Sequence, residues 1–224
     1  MKKQLKQFIT ILLITTCTLS LIGCGGEDFN PSAYIQAELD LMAKHDLKQY
    51  MEVHGVDEAQ AEEDYNEVIE GMDISSALFD DPQISEEIAG SYDDWFINVL
   101  SKTKYTVLEA QKTEEGYTIE VEIEPLKAFE GLYDTLNTET EAYIEKMLQD
   151  IENGAETPSD AEINEAIYSI MLDILNDILQ NPTYAEKVVI ETRIIKNSDG
   201  DYEVDEDSFI KLGENLLDVS GLEE

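Results

Sequence analysis

The segment Tyr117-Thr118-Ile119-Glu120-Val121-Glu122-Ile123-Glu124 alternates apolar and polar residues without interruption. A period of two places every second side chain on the same face of an extended strand. The segment therefore predicts a half-buried antiparallel strand, with its apolar side chains on a core. Glu120, Glu122 and Glu124 then share the opposite, solvated face.

Two β-hairpins are predicted around this strand. The segment 105–112 is the expected partner of 117–124, joined to it by the turn 113–116, which ends in glycine. A second hairpin is expected from 188–195 and 202–204, with a turn at 197–200. Hairpins make antiparallel pairs, so the sheet is expected to be antiparallel.

The remaining segments have the 3.6-residue period of amphipathic helices. The strongest case runs from Ile84 to Leu100, with Ser85 as its N-cap and Trp95 in its apolar stripe. The other helices are expected at 31–53, 57–72, 126–152, 159–180 and 207–217. This order predicts an α+β fold in which helices pack on one face of a small antiparallel sheet built from two β-hairpins. Residues 32–224 are expected to form one domain, and a two-lobed division near 125–158 is the alternative.

The first residues have the features of an export signal. Lys2, Lys3 and Lys6 precede an apolar stretch, 8–19, that is shorter than the ~20 residues needed to span a bilayer. The stretch closes on Leu21-Ile22-Gly23-Cys24, which resembles a bacterial lipobox. In proteins with that signal a diacylglyceryl group is attached to the cysteine, and the chain is cut before it. We therefore predict a signal peptide at 1–23 and a lipidated tether at 24–31; a retained N-terminal helix is the alternative.

This interpretation accounts for both cysteines. Cys17 leaves with the signal peptide, and Cys24 carries the lipid. The mature domain is then expected to have no disulfide, no cysteine metal site and no cysteine nucleophile. The expected location is the extracytoplasmic face of the cell membrane.

The chain is strongly acidic, with 14 basic and 51 acidic residues and a net charge of −37. Loss of three signal-peptide lysines leaves 11 basic residues, so the mature net charge is −40. Such a charge disfavours nucleic acid and anionic polymers and favours cations or a basic protein surface. The simpler interpretation is that acidic faces keep an exposed protein soluble.

Candidate binding residues are few. The spacing of Glu120, Glu122 and Glu124 places them on one strand face, which we predict to be a binding surface. The alternatives are that they bind Ca²⁺ weakly, or that they only form the solvated face of the sheet. His45 and His54 lack the spacing of a metal motif. The turn 197–201 suggests an EF-hand, but Ile195 would occupy its first ligand position, so a hairpin turn is favoured.

No motif for nucleophilic, nucleotide or phosphate chemistry occurs in the sequence. We therefore predict a non-catalytic lipoprotein that binds a basic envelope protein or a cationic ligand, without a cofactor. A wall-active hydrolase with paired carboxylates and a solute-binding lipoprotein are the alternatives. Trp95 is expected to be a core residue, with an aromatic binding surface as the alternative.

Three segments, Tyr34–Leu41, Lys44–Tyr50 and Val56–Glu62 followed by Tyr65, resemble those of an uncharacterised family of surface lipoproteins from low-GC Gram-positive bacteria. The domain of that family is classed as being of unknown function. The resemblance covers the signal and about the first fifty mature residues. It implies a membrane-anchored α+β lipoprotein, and Cys24 is the only functional residue that it carries over.

Overall fold

The computed structural model describes residues 29–70, 85–197 and 202–222. In this part of the chain there are seven α-helices, five β-strands and one 3₁₀ turn. The helices are α1 (Pro31–Lys44), α2 (Leu47–His54), α3 (Glu58–Glu70), α4 (Glu86–Ser101), α5 (Leu132–Glu152), α6 (Asp160–Gln180) and α7 (Glu206–Glu214). The strands are β1 (Lys104–Val107), β2 (Gln111–Lys112), β3 (Gly116–Glu124), β4 (Val188–Lys196) and β5 (Tyr202–Val204), and the 3₁₀ turn is Ser220–Leu222.

The strands form one antiparallel sheet in the order β1-β3-β4-β5, and β2 continues the β1 edge beside the start of β3. The two hairpins join through β3 and β4, whose register runs from Gly116 opposite Ile195 to Ile123 opposite Val188. The predicted α+β fold with a sheet of two hairpins is therefore confirmed.

The apolar side of β3 faces the core, as its alternation predicts. Ile119, Val121 and Ile123 are buried, and Ile190 and Ile194 of β4 lie on the same side. Helix α4 adds a buried stripe of Tyr92, Trp95, Phe96, Val99 and Leu100. Trp95 packs edge-on against Phe129 with ring centroids 5.7 Å apart, so its prediction as a core residue is confirmed.

Helix starts follow the predicted capping residues. The Ser85 side chain accepts a hydrogen bond from the Ile88 backbone N–H at the start of α4. Ser159 and Glu162 form a reciprocal capping box on α6. Each cap satisfies backbone donors that a helix N-terminus leaves without intrahelical partners.

Two predicted helix boundaries are wrong. The helix expected over 31–53 is divided at His45, which adopts a left-handed conformation with φ 52°, and Asp46 caps the next helix. The helix expected from Leu126 begins only at Leu132. Leu126 instead bridges Tyr184 and Leu217, and Gly131 turns the chain into α5 with φ 71°.

Several predicted features lie outside the described residues: the signal peptide, Cys24 and most of the tether, together with Met72, Ile84 and the turn residues 198–201. The flanks of that turn are described. Lys196 of β4 pairs with Tyr202 of β5 in antiparallel register, which is the geometry of a hairpin rather than of the helices that flank an EF-hand loop.

Candidate functional site: the outer face of the sheet

The side of the sheet opposite the core presents a mainly polar surface, which we call the outer sheet face. Six of its side chains are exposed and the others are half-buried. The face consists of Lys104, Thr106, Thr118, Glu120, Glu122, Glu124, Val189, Glu191 and Arg193. The structure thus places the three predicted glutamates on one face, because successive side chains of β3 point to opposite faces of the sheet.

The three glutamates have different surroundings. Glu122 is paired with Lys187, whose Nζ lies 2.7 Å from its Oε2, and this hydrogen bond raises the pKa of Lys187. Glu124 lies opposite Lys104 in the β1–β3 register. Glu120 instead lies opposite Glu191 of β4, and both are exposed. Because like charges directly across a sheet repel each other, the centre of this face favours a cation.

An open cavity of about 360 Å³ adjoins the outer sheet face at its β1 edge. Lys44, Lys104 and Lys187 contribute positive charge to its wall, and Glu122 and Glu124 contribute negative charge. Lys104 Nζ lies 3.7 Å from the centroid of the Tyr184 ring, a cation–π contact that links this lysine to the segment between α6 and β4. The edge therefore carries mixed charge, whereas the strand centre is acidic.

A larger cavity of about 600 Å³ lies where residues 29–32 meet the sheet. Phe29 stacks on Tyr202 with ring centroids 5.3 Å apart. The Ser32 hydroxyl donates to the Leu108 carbonyl and accepts from the Ala110 N–H, each at 2.8 Å. These contacts satisfy the backbone between β1 and β2, so the start of the described chain is attached to the sheet edge.

Buried carboxylates occur between the first helices and the sheet, away from the outer face. Asp40 is 6% exposed. Its Oδ1 accepts from the Lys44 ammonium and the Tyr105 hydroxyl, each at 2.6 Å, and its Oδ2 accepts from Gln36 at 2.8 Å. Burial, followed by the Asp40 contact, raises the pKa of Tyr105. With three donors on one carboxylate, Asp40 joins α1 to β1 and has a structural role.

A second buried group links α1, α2 and α3. The Tyr50 hydroxyl donates to Asp64 at 3.0 Å, and burial, together with the charges of Glu38 and Asp64, raises the pKa of Tyr50. His54 stacks on Tyr50, and its Nε2 lies 2.9 Å from Glu38 Oε1. These residues position the helices against one another.

The two histidines lie in different environments. His45 stacks on Tyr65 with ring centroids 3.8 Å apart, and its Nε2 contacts Glu62. His54 is instead enclosed by the rings of Tyr34 and Tyr50. Within the described ranges no group of three or more His, Cys, Asp or Glu side chains is arranged to hold a metal ion.

Sequence reasoning missed the residues that complete the outer sheet face. Glu191 and Arg193 lie in β4, where Val189, Glu191, Arg193 and Ile195 alternate with the buried side chains. That alternation is visible in the sequence and could have identified them. Their position opposite Glu120 and Thr118 depends on strand register, which alternation alone does not specify.

The net charge predicts that salt stabilises the domain. Repulsion among carboxylates, including Glu120 and Glu191, is screened within a Debye length of ~8 Å at physiological ionic strength. The Tm of residues 25–224 should therefore rise as NaCl is added from low to physiological concentration, measured by circular dichroism. Millimolar Ca²⁺ should add only a small increment beyond its ionic strength. A flat Tm would contradict the repulsion, and a large saturable Ca²⁺ shift would require a specific metal site.

Comparisons with known proteins identify a similar fold. No family model matches the chain, and no curated protein matches it. A solved structure with a similar fold is the "putative lipoprotein (ycdA)" of Bacillus subtilis, which is 17% identical with a TM-score of 0.54. The match covers 85% of this chain and 57% of the other, so the chain spans little more than half of that structure. Across the residues that the structure describes, no helix is both long and apolar enough to cross a membrane.

Proposed function

We propose that this chain is a lipid-anchored extracytoplasmic protein that binds a basic protein or another cationic ligand through its outer sheet face, without catalysis. The observation that carries the proposal is the direct opposition of Glu120 and Glu191 on an exposed, rigid strand pair. A cationic group placed between them would relieve the repulsion between the two carboxylates, which the nearby charge of Arg193 reduces on the Glu191 side.

The rest of the outer sheet face suits a protein partner. Val189 is 54% exposed and lies opposite Glu122, so an apolar side chain adjoins the acidic centre. Lys104 and two ion-paired cations, Lys187 and Arg193, lie around this centre and would orient a partner that carries both charges. Electrostatic complementarity of this kind mainly sets partner choice and the association rate.

The hydrolase alternative requires a pair of carboxylates in a cleft. The buried carboxylates of the described residues are Glu38, Asp40 and Asp64. Asp40 bonds to Tyr105 of β1, Glu38 and Asp64 contact residues of α2, and none of the three lines the two cavities described above. The carboxylates that line the smaller cavity are Glu122 and Glu124, which are only half-buried, and Glu122 is paired with Lys187 rather than with a second acid. This arrangement supports binding over hydrolysis. The solute-receptor alternative usually has two lobes with parallel sheets, whereas this sheet is antiparallel.

The anchoring part of the proposal is supported by the sequence Leu21-Ile22-Gly23-Cys24. It is also supported by the fold shared with a Bacillus subtilis protein whose name includes the word lipoprotein. Cys24 would carry the lipid, and residues 25–30 would connect it to the folded domain. The outer sheet face would then meet its ligand outside the membrane.

Charge reversal on the outer sheet face tests the proposal. The double variant E120K/E191K should reduce capture of a basic envelope protein at least about tenfold, because each reversal replaces an attraction by a repulsion. E63K/E67K, on exposed positions of α3, changes the charge equally and serves as the control. Capture would be measured with the immobilised domain, and partner binding then quantified by surface plasmon resonance.

Equal loss in both double variants would show that overall charge, rather than this face, drives binding. Hydrolysis of wall polymer or peptide by the purified domain, abolished by changing one carboxylate without unfolding, would instead establish the hydrolase.

A further inference from the structure

Helices α5 and α6 form an antiparallel pair that extends beyond the main core. On α5 the apolar side chains packed on that core end at Leu136, and on α6 they begin at Tyr168. We call residues 137–167 the helical arm. The α5 part of the arm spans 16 residues, which corresponds to about 24 Å at 1.5 Å per residue.

The helical arm exposes apolar side chains that neither helix covers. Ile144 is 39% exposed and Leu148 is 53% exposed, and these two residues are one helical turn apart on α5. Tyr143, Met147 and Ile151 on the same helix are only half-buried. Of the three large hydrophobic residues classed as exposed in the described chain, two therefore lie on this one stripe. An apolar stripe at i, i+4 spacing is the pattern through which one amphipathic helix packs against another.

One border of the stripe is acidic. The helical arm contains nine acidic residues and one basic residue, Lys146. On a helix with about 100° per residue, Glu141, Glu145 and Glu152 fall within about 60° of Leu148. All three are exposed. The apolar stripe is therefore flanked on one side by a row of carboxylates.

We infer that the helical arm docks a basic amphipathic helix, whose apolar side covers Ile144 and Leu148 and whose lysines or arginines meet the flanking glutamates. This inference rests on the proposed function in that the partner is basic, but it uses a different surface from the outer sheet face. A second copy of the chain is a poor occupant, because two arms of net charge −8 would meet. An anionic membrane surface is disfavoured by the same charge.

The test uses the mature domain and a model peptide of about 16 residues, the length that matches the arm at 1.5 Å per residue. The peptide consists of leucine and lysine at amphipathic helical spacing. A scrambled peptide of the same composition and a leucine–glutamate peptide are the controls. Isothermal titration calorimetry should show saturable binding of the amphipathic lysine peptide, at least about tenfold tighter than that of either control.

Variants locate the binding surface. I144S/L148S should weaken binding about tenfold or more, since both side chains would be central anchors. A142S, which changes an exposed residue of the same helix about 120° around the axis from Leu148, should leave the affinity unchanged. E141K/E145K should weaken binding and reduce its salt dependence. Circular dichroism melts would check that each exposed substitution leaves the domain folded.

Three results would overturn the inference. The first is equal affinity for the scrambled peptide, which would show attraction by charge alone. The second is unchanged affinity in I144S/L148S. The third is a stable dimer in sedimentation that I144S/L148S dissociates, which would assign the stripe to a second copy. The variant E120K/E191K separates the two proposals. It should lose capture of the basic partner at the outer sheet face and keep the affinity of the arm for the peptide.

Discussion

Replacing Cys24 with serine should move the protein almost completely from the membrane fraction to the soluble fraction. The thiol is the proposed attachment point for the lipid, and serine cannot form the thioether. Two acyl chains anchor a protein stably, since burial contributes ~0.8 kcal/mol for each CH₂ group. Fractionation followed by immunoblotting measures the shift, and mass spectrometry of the wild-type N-terminal fragment measures the added lipid.

C17S is the matched control, because Cys17 lies in the segment that the signal peptidase would remove. It should leave anchoring unchanged. Retention of C24S in the membrane, released only by detergent, would show that the apolar segment 8–19 is itself the anchor.

The largest expected effect on stability is that of Gly116→Ala at the start of β3. A Cβ at this position would lie 2.0 Å from the Ile194 carbonyl oxygen, and the backbone has φ 153°. Because Ile194 belongs to the adjacent central strand, relief requires the β3–β4 pair to separate locally. The combined strain and overpacking should cost about 3 kcal/mol, which lowers the Tm by about 10 °C in a domain of this size.

Gly90→Ala provides the opposite control. Gly90 is exposed within α4, and a Cβ there would have no neighbour within 4 Å. Alanine should stabilise the helix by about 0.5–1 kcal/mol. Urea unfolding of the two variants should therefore give free-energy changes of opposite sign. An unchanged midpoint for Gly116→Ala would contradict the described β3–β4 contact.

The strands could be predicted because their alternation is a local signal. Residues 117–124 alternate, and each buried side chain falls where the period places it. The stripe of α4 was similarly clear, since its large apolar residues recur at helical spacing. Local periodicity reports burial directly, so the fold class followed from it.

The helix boundaries were harder to predict from the sequence. His45 is a non-glycine residue in the left-handed region, where its backbone N–H bonds to carbonyls of the last turn and ends α1. The start of α5 shifted because Leu126 is drawn into bridges with Tyr184 and Leu217, both distant in sequence. Gly131 was a local signal that could have marked the true start.

The charge pattern of the outer sheet face required the tertiary structure. In sequence, Glu120, Glu122 and Glu124 are equivalent. In the fold, Glu122 meets Lys187, Glu124 faces Lys104, and Glu120 faces Glu191. Strand register and the path of the 181–187 segment decide these neighbours. The candidate binding position therefore narrows from a row of three glutamates to the pair Glu120 and Glu191.

The association rate of the mature domain with its captured basic partner, measured against salt, tests the central claim most directly. Stopped-flow or surface plasmon resonance would follow the rate from low to physiological ionic strength, as the Debye length falls from ~30 Å to ~8 Å. We predict that the wild-type rate falls steeply with salt, and that E120K/E191K associates more slowly and with a shallower salt dependence than both the wild type and E63K/E67K. A wild-type rate that is independent of salt and equal to that of E120K/E191K would contradict binding through the acidic centre of the outer sheet face.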